Sequence, residues 1–235
     1  MAPLCLCALV AVSAAPAQDK VLLARKAKVG EVSRNSSEAI LAIDAGGQQM
    51  TLAIKETDKV TITAVAADGA ITSSGEVESM EISMNGQAMP PQPSPPASTS
   101  VIRPDGSLVK SSQATPDGVE GRMHHASRIL FSDKPVGAGD TWTREVKADP
   151  SLGVRAATAE YKVVAFEKVG AVDTVKISMS FRETAADGIS AAGTFWIEKS
   201  TGDEVKAEYE FKNVPFPQMG LVSGSARGSR LSAGG

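Results

Sequence analysis

His124 and His125 are the only two histidines in the chain, so metal chemistry or a histidine-assisted nucleophile would have to be built on them. Neighbouring residues point to opposite faces of a strand and diverge by about 100° on a helix, so the pair cannot easily share one ion. The pattern therefore predicts surface histidines and no metal site. A serine nucleophile needs a constrained turn, and no Gly-x-Ser-x-Gly motif occurs. The nearest approach, Ser223-Gly224-Ser225, lies in a stretch expected to be a flexible tail. Glu208 and Glu210 fall on one face of a strand about 7 Å apart, a separation a glycosidase could use. They alternate with Lys206 and Lys212, however, and a solvated row of charges lacks the burial that raises a catalytic pKa. The chain presents no set of catalytic residues and is expected not to be an enzyme.

The N-terminus supplies the compartment. Leu4 to Val12 is an apolar run followed by Ala15-Pro16-Ala17, the h-region and small-residue cleavage site of a secretory signal peptide, although no Lys or Arg precedes it. Residues 1–17 are thus expected to be removed, leaving an extracytoplasmic (periplasmic or secreted) protein that starts at Gln18. The run is too short to span a bilayer as a helix. Both cysteines of the chain, Cys5 and Cys7, fall inside it, so the remaining chain would have no disulfide framework. Net charge is −3 and the charged residues are interspersed, which leaves no basic footprint for nucleic acid and no polybasic membrane patch. Aromatics make up 4% of residues, too few for a base-stacking platform.

About 218 residues remain, a length that all-β sandwiches and barrels use as one domain. The strongest signal lies at 159–214. Val175, Ile177, Met179 and Phe181 alternate with Lys176, Ser178, Ser180 and Arg182, a period of two that gives a strand one apolar and one wet face. Val205, Ala207, Tyr209 and Phe211 repeat the pattern. Turns at Val169-Gly170, Asp187-Gly188 and Ser200-Thr201-Gly202 separate four long strands, which should twist and coil into a curved sheet.

The first half reads the same way, with strands over Val21–Lys28, Glu38–Asp44, Gln49–Lys55, Lys59–Ala67 and Ile71–Met84. The proline-rich stretch 90–96 cannot join a ladder and is predicted to be an exposed, extended loop. Thr115-Pro116-Asp117 could cap the one helix candidate, whose Val119, Met123, Ala126 and Leu130 recur at helical spacing. The expectation is a mainly all-β domain over 18–214, a curved antiparallel sheet or half-barrel of about ten to twelve strands with at most one short helix between two similar halves (18–112 and 127–214). A flexible tail over 215–235, rich in Gly, Ser and Arg, would follow.

The segment Phe131–Trp142 is the most motif-like passage. Its Lys134-Pro135-Val136 followed by Gly139-Asp140-Thr141-Trp142 resembles a signature of uncharacterised exported bacterial β proteins, and Lys26-Ala27-Lys28-Val29-Gly30-Glu31 resembles their opening strand and turn. Those proteins are similar in pattern to the half-barrel carriers of lipids and lipoproteins, the LolA and LppX type. The resemblance covers about 20 residues as motif and most of the chain as pattern. It implies a non-enzymatic binding protein without cofactor that holds a lipid, another hydrophobic ligand or a partner segment on a concave apolar face, lined by Val175, Ile177, Met179, Phe181, Tyr209 and Phe211. Two other readings stand beside it: a structural or interaction module of the envelope with a filled core, which would engage an envelope protein, and a hydrolase with an unrecognised site. The residues themselves give Pro135 and Gly137 backbone roles in that segment and put the Trp142 ring on the core.

Overall fold

The computed structural model describes residues 20–45, 48–116, 118–216 and 219–231. The predicted signal segment, the turn residues Gly46-Gly47 and the capping residue Asp117 lie outside the described residues. Twelve strands run β1 (Val32–Ala45), β2 (Gln48–Val65), β3 (Ile71–Met84), β4 (Gln87–Ala88), β5 (Ser98–Ile102), β6 (Leu108–Ser111), β7 (Thr141–Val146), β8 (Ala157–Val169), β9 (Val172–Glu183), β10 (Ser190–Glu198), β11 (Glu204–Phe216) and β12 (Gly220–Arg230), with α1 (Glu120–Ala126) between β6 and β7. They form one open antiparallel sheet in the order β6-β5-β3-β2-β1-β12-β11-β10-β9-β8-β7, with β4 beside β3. The expected mainly-β architecture with one short helix is the one observed.

The β9 alternation sorts as the period of two requires: Val175, Ile177, Met179 and Phe181 are buried while Ser180 and Arg182 are exposed. The buried row continues across the ladder through Val163 and Tyr161 of β8 and Phe195 and Ala191 of β10. A segment remote in sequence covers this row. Ala126, Ile129, Leu130, Phe131 and Val136 are all at most 4% exposed and belong to the same core. The cover is held by polar groups that burial would otherwise leave unpaired: the Leu130 amide donates to the Tyr161 hydroxyl at 3.2 Å, and Trp142 Nε1 donates to the Leu130 carbonyl at 2.8 Å. The Trp142 ring stacks on Tyr161 with centroids 5.0 Å apart, in line with the expected core-facing ring.

Four local expectations are corrected. Val21–Lys28 forms no strand beyond an isolated Val21–Val136 bridge; its amides are shared among loops, Arg25 donating to the Pro104 carbonyl and Lys26 to that of Thr201, both at 2.8 Å. The strands anticipated at 49–55 and 59–67 are one strand, β2, because a bulge at Thr57/Asp58 absorbs the polar break without ending the ladder. The helix is limited to Glu120–Ala126 and has no side-chain cap on Val119, so Leu130 reaches the core from beyond it. The tail expected to be flexible supplies β12, which pairs with β1 and β11 and thereby joins the two halves. Gly224 fits tight packing there: a Cβ on it would meet the Ile40 carbonyl oxygen at 2.2 Å and the Phe211 ring at 3.0 Å.

One ion pair fastens α1 to the sheet. Arg122 donates to Glu183 at the end of β9 through Nε (2.7 Å) and an Nη (2.6 Å), with side chains 7% and 1% exposed. The same carboxylate accepts the Ile189 amide at 2.8 Å.

Candidate functional site

The inner face of the first half is not covered as that of β8–β11 is. Along the β1–β2 ladder its paired residues run Leu41–Leu52, Ala39–Ile54, Ser37–Glu56, Asn35–Asp58 and Ser33–Val60, so one face passes from apolar to polar and acidic. At the polar end lies a cleft of about 630 Å³. Its lining comes from strands β6, β5, β3, β2, β1, β12 and β11 of the one sheet, and from α1 and Arg128. Val60, Val77, Ile102, Ile129 and Tyr209 give it apolar contact surface, while Asn35, Glu56, Asp58, Ser73, His124 and Arg128 give it polar groups. The proline-rich loop is exposed, as its composition requires, and its Pro95 and Pro96 reach the cleft's margin.

The charges are distributed unevenly. Every arginine lining the cleft has a carboxylate of its own: Arg25 meets Asp203 at 3.3 Å, Arg128 meets Glu204 at 3.3 Å, Arg230 meets Glu198 at 2.6 Å, and Arg227 pairs with Glu38. Glu56, Asp58 and Glu120 also line it. Among the described residues none of these three has an ion-pair partner, and Asp58 accepts only from Asn35 Nδ2, at 3.0 Å. Burial, and then the neighbouring Asp58, push the Glu56 carboxyl above its ordinary value, as expected of an acid that nothing compensates.

The two histidines are not on the surface. His125 is 6% exposed and its Nδ1 lies 2.9 Å from the Gly121 carbonyl. His124 is half-buried in the cleft wall, its Nε2 3.2 Å from the Gly106 carbonyl; that oxygen can only accept, so Nε2 carries the hydrogen. Burial first, then Arg128 and His125, lower the His124 pKa to about 3, and the ring is neutral at ordinary pH. The expected surface position is thereby corrected: the burial follows from α1 being pressed between β6 and β9. No group of three or more His, Cys, Asp or Glu among the described residues could hold a metal ion.

Of the six residues expected to line a ligand site, the structure places Val175, Ile177, Met179, Phe181 and Phe211 inside the packed core, at most 5% exposed. Tyr209 borders the cleft, its ring stacked on Phe195 with centroids 5.8 Å apart. Glu208 and Glu210 are exposed, with Glu208 paired to Lys206 at 2.7 Å. The sequence reading missed Asn35, Glu56, Asp58, Ser73 and Arg128; for Glu56 and Asp58 the signal that could have found them is a polar period of two within β2, whereas Arg128 lies beyond α1 and outside any strand. No helix among the described residues is long and apolar enough to cross a membrane.

No protein-family model matches the chain, and no curated protein matches it in sequence. The fold is similar to that of lipovitellin, in a structure concerned with lipid–protein interactions, with a TM-score of 0.50 at 12% identity. That match covers 88% of this chain, which spans 25% of the lipovitellin chain. A hypothetical lipoprotein, YmcC from Escherichia coli (K12), aligns with a TM-score of 0.36 at 10% identity, over 88% of this chain and 89% of that one. A DUF1329 family protein from Desulfovibrio piger aligns with a TM-score of 0.21 at 12% identity, over 83% of each chain.

Proposed function

We propose that the protein is a non-enzymatic binder that holds an amphipathic ligand, lipid-like in class, in the cleft between the inner face of β1–β3 and β5 and the α1 side. The observation that carries this is the contrast between the two halves of one sheet. The inner face of β8–β11 is sealed by Ala126–Val136, whereas the first half keeps about 630 Å³ open, within the range of small-molecule sites. Apolar and polar groups share the lining, which suits a ligand with both characters. The lipovitellin likeness supports the reading by analogy of fold. A carrier of the LolA or LppX type, exported through residues 1–17, is the finer form of the proposal.

The test uses occupancy. A ligand at ~100 times its dissociation constant adds about 2.7 kcal/mol, worth roughly 5–10 °C in melting temperature at this chain length. Protein purified gently from its native compartment should melt higher than protein stripped with organic solvent, and native mass spectrometry should show a lipid-sized adduct on a chain beginning at Gln18. Gly228 borders the cleft, and a Cβ there would have nothing nearer than 3.7 Å. Gly228→Phe should therefore fill the cleft, keep the fold and lose the adduct. A gently purified protein with no adduct and no shift across a lipid panel would overturn the reading and favour the interaction module, which the sealed second half would suit.

A further inference from the structure

We infer that the ligand's polar end is cationic, a protonated amine or quaternary ammonium seated against Glu56 and Asp58 of β2; this rests on the cleft being the binding site. Each arginine of the lining is already neutralised by its own acid, and His124 is neutral. What remains is negative: Glu56 and Asp58 on β2 and Glu120 on α1 make no ion pair among the described residues; Arg128, held by Glu204, also feels Asp58 and Glu120, so Glu56, which feels only burial and Asp58, is the acid with no cation beside it.

A partly buried carboxylate without a partner carries an uncompensated desolvation cost. A ligand ammonium entering beside it regains a charge-assisted hydrogen bond in a site shielded from bulk water. A ligand carboxylate or phosphate would meet the same wall with like charge and could pair only by displacing an acid from an arginine. An uncharged headgroup would leave Glu56 as it is. Beside these acids, Val77 of β3, the ladder partner of Asp58, and Ile102 of β5, together with Tyr209 of β11, offer apolar contact for the hydrocarbon part. The rise of the Glu56 carboxyl above its usual range, caused first by burial and then by Asp58, agrees with a group that lacks its counter-charge.

Three probes of equal chain length separate the possibilities. Dodecylamine, dodecanol and dodecanoate are titrated below micelle formation into the full chain at pH 7 by calorimetry. Dodecylamine should bind about tenfold or more tightly than dodecanol, the size of one charge-assisted hydrogen bond, with dodecanoate weakest. Glu56→Gln should bring dodecylamine down to the dodecanol value and leave dodecanol unchanged; Asp58→Asn is the second variant should Glu56→Gln fail to fold. Equal binding of all three probes, or a preference for the amine that survives both substitutions, overturns the inference. If Gly228→Phe then abolishes the equal binding, the cleft is still the site and only the cationic assignment has failed. If Gly228→Phe changes nothing, the probes bind elsewhere and both readings fall.

Discussion

Arg122→Ala should destabilise the protein by about 3–5 kcal/mol, the cost of stranding one member of a buried ion pair. The magnitude follows from what Glu183 loses. Its side chain is 1% exposed, so water cannot replace the two guanidinium hydrogen bonds at 2.7 and 2.6 Å, and the Ile189 amide at 2.8 Å is the donor left to it. Removing the charge from both partners is a different perturbation. Arg122→Met with Glu183→Gln keeps an acceptor for the Ile189 amide and leaves no charge buried, so it should recover most of the loss. Urea denaturation followed by far-UV circular dichroism measures both variants, with the exposed pair Lys168–Asp173 (2.9 Å) as the control, where Lys168→Ala should leave the midpoint in place. A cost below about 1 kcal/mol for Arg122→Ala, or a double variant as unstable as the single, would refute the burial argument. The consequence reaches the cleft as well, because α1 carries Glu120 and His124 into its wall.

Other expectations are more local. Gly224→Ala should unfold at markedly lower urea concentration than wild type, because its Cβ would meet backbone at 2.2 Å, whereas Gly228→Ala, with nothing nearer than 3.7 Å, should be neutral or slightly stabilising. Tyr161→Phe should cost about 1–3 kcal/mol by leaving the Leu130 amide without its acceptor in the core; wild-type Tyr161, pushed up to about 12 by burial, should ionise late in an absorbance titration. His124 titrates near 6.5 when unfolded and at about 3 when folded, so the unfolded chain binds the extra proton between those values. Its contribution is complete above about pH 6.5 and falls as pH drops toward 3, by up to about 1.4 kcal/mol per pH unit, with His125 acting in the same direction. Stability measured from pH 7 to pH 4 should decline less steeply in His124→Gln; an unchanged slope would show that this ring is not buried neutral.

The strands were legible wherever one face is buried by the protein itself. Val175 to Phe181 alternates because every second residue meets core, and the ladder partners on β8 and β10 do the same. Alternation identifies the inner face but cannot tell whether something covers it. What seals Val175, Ile177, Met179 and Phe181 is Ala126–Val136; Ala126 and Leu130 belong to the helical apolar stripe expected against the inner sheet face, but the helix stops at Ala126 and the loop-like residues 131–136 carry no mark of a cover. The converse held in the first half: Asn35, Glu56 and Asp58 face inward at positions where a core strand would carry apolar residues, so their stretch looked like a break, and the bulge that lets β2 continue has no compositional mark. β12 was hidden for a related reason. Its inward positions are Gly224, Ala226 and Gly228; the Phe211 ring and the Ile40 carbonyl occupy the space of a side chain at Gly224, while Gly228 borders the open cleft, and a strand of small residues has the composition of a tail.

The most direct test of the cleft as the binding site is to map a photoactivatable long-chain amine on the intact protein by cross-linking and peptide mass spectrometry. The account predicts labels on inward positions of β2, β3 and β5, at Val60, Val77 and Ile102, with loss of those labels in Gly228→Phe. Labels concentrated on the outer face around Trp196, or along the edge strand β7, and unaffected by Gly228→Phe, would contradict it.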